Sequence, residues 1–299
     1  MKLALSAAKW LARTLAIVLL VLVGSTVLVR LAPGYLSDAR EMDARYADAA
    51  RAELSAEAAR SHSLSQLLFS EVRGWAHGDA GLSREYGVPV SALLAPRLAV
   101  TGELLLRSLP LAWALALLAS LLSSAIRNRS AAMLWQAPAA LLLAVPTAAM
   151  ATVCLLAGSG GPVLVMALLL AARDFKFLHH ALQKAWLDPH LLHARAQGVR
   201  AHRLVAAHIL PSLAPQLAAL ASLSIVTALS ALVPVEVIFN VPGLGQLAWN
   251  AALNRDLPVL LAVTMIMALG VTLAGMASDL HHAGQDTQPE FQSEFWRSA

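Results

Sequence analysis

Ten histidines stand in this sequence, and eight of them fall in its second half: His179, His180, His190, His193, His202, His208, His281 and His282. Imidazole is a common ligand for transition metals, and His190 and His193 could share one helix face. A first shell needs companions, however, and the single cysteine, Cys154, lies in an apolar run while few carboxylates accompany the histidines. No metal site is therefore expected, and the histidines read as surface or interface residues. Ser159, in Gly158-Ser159-Gly160-Gly161, is the nearest candidate nucleophile, but no histidine is placed to serve it and no H-E-x-x-H stretch exists. The glycines around it read as a turn. No G-x-x-x-x-G-K-[ST] loop occurs, which excludes ATP hydrolysis by that route, so no catalytic residue and no cofactor bound by this chain is expected. One passage remains: Ala194 to Pro211, ARAQGVRAHRLVAAHILP, with three arginines, two histidines and no carboxylate. Arginines this few, with no aromatic platform among them, do not make a nucleic-acid surface.

The elements that must position this passage are membrane spans. The chain is 58% hydrophobic and 13% charged, whereas a soluble domain runs at about 45–50% and about 25%. A bilayer core of about 30 Å takes roughly 20 helical residues. Five uncharged runs meet or approach that length: Thr14 to Val29, Ser108 to Ile126, Ser130 to Ala172, Leu204 to Val235 and Leu257 to Ser278. The third is 43 residues long and divides at Gly158–Gly161, so six transmembrane helices are expected in an all-α integral membrane protein. With the N-terminus inside, Lys2, Lys9, Arg13, Arg127, Arg129, six Lys/Arg from Arg173 to Arg203, and Arg297 are all cytoplasmic, as the positive-inside rule requires. Both termini are then cytoplasmic, and the passage Ala194 to Pro211 faces the cytoplasm. Residues 1–32 hold the N-terminal segment and an uncleaved first span, and 33–98 an extracytoplasmic loop. Residues 99–282 form a five-span core with a cytoplasmic loop at 173–211 and an outside loop at 236–257, and 283–299 are a polar cytoplasmic tail. Glu103 and Arg107, four apart on one helix face, read either as an interfacial ion pair or as charge lining a solute path.

Within the cytoplasmic loop, Ala194 and Ala196 present little side chain and Gly198 permits a sharp turn, so another body can approach closely. A short helix after Gly198 would set Arg200, Arg203 and Ala207 on one side and Leu204, Val205 and Ile209 on another. Pro211 and Pro215 follow where the chain re-enters the membrane, in a first turn where a missing N–H costs nothing.

The spacing Ala196-Gln197-Gly198, nine residues, then His208-Ile209-Leu210-Pro211 resembles the EAA loop of bacterial ABC importer permeases. The run Asp188 to Gly198 is similar to the form found in the dipeptide/oligopeptide/nickel subfamily. A second block, Val235 to Val263, resembles the stretch between that subfamily's last two spans, with Glu236, Phe239, Pro242, Gly243, Gly245, Asn254, Arg255, Asp256 and Pro258 at matching positions. A third, Gly78 to Ser83 followed by Pro89 to Leu98, resembles the approach to the second span of the B-type subunit. Together these cover most of residues 70–110 and 180–282. Residues 127–172 depart most from the pattern.

The resemblance implies an ABC type I importer permease fold in a bacterial inner membrane. It implies as partners a second permease subunit, two ABC ATPase subunits carrying ATP and Mg, and an extracytoplasmic solute-binding protein, all assembled in the lipid bilayer and without nucleic acid. This chain would form half of the translocation path for peptides or a similar small solute. Its ATPase-coupling residues would be Ala194, Arg195, Ala196, Gln197, Gly198, Arg200, Arg203, His208, Leu210 and Pro211. The alternative is an accessory permease-like subunit that scaffolds or regulates a complex without a solute path of its own.

Overall fold

The computed structural model describes residues 80–125, 129–186, 201–254 and 256–285, with scattered helical residues between positions 12 and 24 and at 73–74. The expected first span lies in part outside the described residues. Residues 33–72 and 75–79 of the expected extracytoplasmic loop, the run Asp188 to Gly198, and the tail beyond residue 285 lie outside them.

What is described is helical. The elements are α1 (Val90–Ala125), α2 (Arg129–Ala144), α3 (Thr147–Leu156), α4 (Pro162–Trp186), α5 (Ala201–Leu204), a π turn (Val205–Ile209), α6 (Leu210–Ser212), α7 (Ala214–Ile238), α8 (Leu244–Leu253) and α9 (Leu257–Gln285). Among the described residues three helices are long and apolar enough to cross a membrane, within α1, α7 and α9, or four if the bent pair α2–α3 counts as one.

The expected third span, Ser130 to Ala157, is broken. Its two helices meet at 103° across Val145 and Pro146. Pro146 has extended backbone (φ −58°, ψ 140°); its ring cannot follow a helical turn and it disfavours helix at the residue before it. The expected fourth span begins at Pro162 but continues as one helix through Arg173, Asp174 and Lys176 to Trp186. No part of this helix is among the candidate spans.

Hydropathy cannot say which face of α1 is inside, because beyond Arg107 apolar residues ring the helix. Size can. Thr101, Leu104, Ser108, Ala112, Ala116, Ser120 and Ser123 are buried, while Leu106, Leu111, Leu118, Leu121 and Leu122 are exposed. The buried stripe recurs every three or four residues and is mostly small, the pattern that lets helices approach closely where apolar burial gives no preference.

The chain divides into two compact units, one of residues 1–104 with 232–270 and one of 105–231 with 271–299. In the first unit, Leu244, Leu247 and Ala251 of α8 form a core with Val90 of α1 and Val259, Ala262 and Val263 of α9. In the second, polar contacts pin helices together. Trp135 Nε1 donates to the Ala119 carbonyl at 3.1 Å, joining α2 to α1. Gln136 and His179 meet at 3.1 Å between α2 and α4, and the Ser224 hydroxyl of α7 lies 2.9 Å from both carboxylate oxygens of Asp174.

Candidate functional site

The segment between α7 and α9 is built by its ends. Helix α7 closes with a Schellman turn: the Val241 N–H donates to the Glu236 carbonyl at 2.8 Å and the Asn240 N–H to the Val237 carbonyl at 3.3 Å. Asn240 takes the left-handed conformation such a turn demands, at φ 51°; its short polar side chain makes it one of the few non-glycine residues suited to that region. Pro242 then prevents the helix from resuming.

Helix α8 begins at Gly243, which has no side chain to cap the N–H groups that start a helix. Other residues cap them. The Leu244 N–H donates to Thr101 Oγ1 at 2.8 Å, and the N–H groups of Gly245 and Gln246 donate to Glu236 Oε2 at 2.7 and 3.1 Å. Thr101 in turn donates to Glu236 Oε1 at 2.7 Å. Glu236 is fully buried, and a buried carboxylate is tolerated when its oxygens are filled with donors and a helix N-terminus supplies positive potential. Further out, Arg97 Nη1 donates to Gln246 Oε1 at 3.0 Å and Gln246 Nε2 to Asn240 Oδ1 at 2.7 Å.

Two glycines make this fit possible. A Cβ at Gly243 would collide with the Glu236 carboxylate, and one at Gly245 would come within 2.8 Å of the backbone at Leu232 and Val233. Space, not backbone freedom, selects glycine at both.

The far end of the segment has its own carboxylate. Asp256 precedes α9, its carbonyl accepting the Leu260 N–H at 3.0 Å. Its side chain reaches the turn that leads into α1: it accepts from the Ser83 hydroxyl, from the Arg84 N–H at 3.2 Å and from the Glu85 N–H at 3.3 Å. Ser83 and Asp256 are both buried. The turn is shaped by Gly81 and Gly87, at φ 79° and 64°, and closed by the Ser83 N–H to Val88 carbonyl bond of 2.9 Å.

Of the residues singled out by sequence in this block, Glu236, Gly243, Gly245 and Asp256 are therefore brought into two latches. Phe239 is half-buried, Pro242 and Asn254 are exposed, and Arg255 lies outside the described residues. Sequence reasoning missed Thr101 and the pairing of Ser83 with Asp256. Ser83 was visible as the end of Gly78 to Ser83, and Thr101 carried no signal.

In the segment between α4 and α7, Ala194, Arg195, Ala196, Gln197, Gly198 and Arg200 lie outside the described residues. From Ala201 onward, Arg203 and Ala207 are exposed, Val205 and Leu210 half-buried, Pro211 exposed, and Leu204 and Ile209 buried. His208 lies in the π turn. Leu204, Ile209 and Leu213 close a hydrophobic knot on Leu182 of α4. The Leu210 N–H reaches back five residues to the Val205 carbonyl, a widened turn ahead of Pro211, whose ring and missing N–H disrupt regular helix.

Elsewhere on α4, outside the candidate spans, Asp174 is fully buried. Burial pushes its carboxyl up to about 6, against the smaller opposing pulls of the Ser224 hydroxyl and the Arg173 charge. Among the described residues no group of three or more His, Cys, Asp or Glu side chains could hold a metal ion.

Residues 104–285 match the family described as binding-protein-dependent transport system inner membrane component. The matched range takes in residues 127–172, where the sequence pattern departs most. The chain is similar to the oligopeptide transport system permease protein AppB of Bacillus subtilis, 30% identical over 133 residues, 43% of this chain and 42% of that protein. It is also similar to the metal-staphylopine import system permease protein CntB of Staphylococcus aureus, 30% identical over 122 residues, 41% of this chain and 39% of that protein. A shorter stretch of 75 residues is 36% identical to the oligopeptide transport system permease protein OppB of Escherichia coli, covering 25% of this chain and 24% of that protein. These matches span about two fifths or less of the relatives' own length. The chain belongs to the binding-protein-dependent inner membrane component family, the permeases of ABC importers.

Proposed function

We propose that this chain, as a member of that family, is one of two membrane-spanning permease subunits of an ATP-driven importer for peptides or a similar small solute. The observation that carries the reading is the single family match over residues 104–285, which takes in both the latched segment and the cytoplasmic passage ending at Pro211. Six spans with both termini in the cytoplasm would set that passage against an ATPase, and the segment between α7 and α9 on the extracytoplasmic side, toward a solute-binding protein. ATP and Mg are held by the partner ATPase, and the membrane is a bacterial inner membrane.

The passage is suited to coupling for a physical reason. Its small residues, Ala194, Ala196 and Gly198, admit a close-fitting partner, and Arg200 and Arg203 offer charge-assisted hydrogen bonds. The knot of Leu204, Ile209 and Leu213 against Leu182 ties whatever moves that surface to both α4 and α7.

The accessory reading draws on one observation, the break at Pro146 that leaves the third expected span in two pieces. Reconstitution decides between them. The assembled complex should take up labelled oligopeptides into vesicles with ATP, and Gly198→Trp should leave the chain in the membrane while cutting uptake at least tenfold. A complex that binds and hydrolyses ATP yet moves no solute would support the accessory reading. Unimpaired uptake by Gly198→Trp would overturn the coupling assignment.

A further inference from the structure

We infer that residues 80–104 and 236–260 form one rigid extracytoplasmic collar that travels as a unit through the transport cycle and does not open as a lid; this rests on the importer reading given above. The segment between α7 and α9 has the placement of a lid, lying between two spans beside a proposed solute path. Its construction is that of a weld. A lid needs hinges with backbone freedom, few buried contacts and hydrogen bonds that water can replace.

The two glycines that would serve as hinges, Gly243 and Gly245, are buried, and each is packed against Glu236 or the backbone of α7 so closely that no Cβ fits. Both ends of the segment are fixed by buried carboxylates acting on different elements. At its start, Glu236 and Thr101 together take up the first three N–H groups of α8, and lifting α8 away from α7 and α1 would leave those donors unpaired and strip the carboxylate of two of its three donors at once. At its end, Asp256 holds the turn at Ser83, Arg84 and Glu85. Between the two, Leu244, Leu247 and Ala251 are buried with Val90, Val259, Ala262 and Val263. No part of the segment can rise without breaking at least one of these three attachments. Opening of the path on this side must then come from displacement of the whole collar, carried on α1, α7 and α9.

A staple tests this directly. A Cβ on Gly81 would stand 3.8 Å from the Pro258 Cβ, which is about the Cβ separation across a disulfide. In a Cys154→Ser background, Gly81→Cys with Pro258→Cys would be assembled with its partner subunits and its ATP-driven uptake of labelled oligopeptides compared before and after reduction. Gly81 lies at positive φ, so the cysteine carries strain in both redox forms and the comparison cancels it. Uptake should agree within twofold between the forms. A tenfold or greater loss on oxidation, restored by reductant, would overturn the collar. Uptake by the unstapled complex is the separate check on the importer reading.

Should the double variant fail to assemble, hydrogen exchange on the unmodified complex gives the same decision. The amides of Gly245, Gln246, Arg84 and Glu85 should each stay within twofold of their own resting exchange rates when the cycle is trapped with ATP and vanadate. A tenfold acceleration on trapping would show that the latches open.

Discussion

The segment before α7 and the segment after it are fastened by opposite means. After α7, two buried carboxylates hold named N–H and hydroxyl groups at fixed positions. Before it, Leu204, Ile209 and Leu213 gather on Leu182 through apolar packing, across a π turn. Hydrogen bonds to a buried charge are directional and costly to leave half-made, whereas apolar packing is non-directional and yields by degrees. One connection therefore fixes position, and the other keeps two helices in contact while tolerating some adjustment of the turn between them.

The sharpest way to break this contrast is to crowd the polar side. Gly245→Leu drives a side chain into backbone 2.8 Å away and should cost more than about 4 kcal/mol, the range of severe overpacking and lost buried bonds. The chain should fail to yield a monodisperse species in mild detergent. Glu236→Ala comes next, at about 3–5 kcal/mol, because it strips three donors of one buried acceptor. Glu236→Gln, which keeps the shape and one acceptor, should recover at least half of that loss in thermal unfolding. Equal losses for the two would mean that the carboxylate charge, which both variants remove, makes the latch and that shape adds nothing.

On the apolar side, Ile209→Ala should cost about 2–4 kcal/mol, with the lost stability varying smoothly through Val as an intermediate. A Val variant as damaging as Ala would refute the picture of graded packing. The smallest effect belongs to Asp174. Its carboxyl titrates near 6 in the folded chain, above its ordinary range, so the folded state binds a proton more readily than the unfolded one. Stability should rise as pH falls from about 6 to about 4, and be lost as pH climbs back through that window. Asp174→Asn removes that dependence. Relative to the native chain it should be more stable at pH 8 by on the order of 2 kcal/mol and nearly equal at about pH 3.5, read by thermal unfolding at the two pH values.

The two segments were unequally legible in the sequence. Glu236, Gly243, Gly245 and Asp256 stood out because charge and glycine are rare within apolar runs, and their rarity marks positions where chemistry or space leaves no choice. Thr101 could not be found that way. It is one small residue in a long, mostly apolar helix, and only the three-dimensional approach of α7 and α8 gives its hydroxyl two partners. The π turn was equally hidden, since Pro211 announces a disturbance of the helix but not whether it will kink, stop or widen it. The break at Pro146 was in plain view as a proline, yet the unbroken hydropathy around it favoured a straight span. Apolar composition reports the solvent, and leaves path to the backbone.

One residue, Glu236, both ends a helix with its carbonyl and begins the next with its carboxylate. This imposes an order on synthesis. Thr101 leaves the ribosome well over a hundred residues ahead of Gly245, and α8 has no cap of its own until both α1 and the end of α7 are in place. A nascent chain halted before Glu236 would carry α1 with its Thr101 hydroxyl unclaimed. The junction can therefore close only once α1, the end of α7 and the start of α8 are all present, ahead of α9.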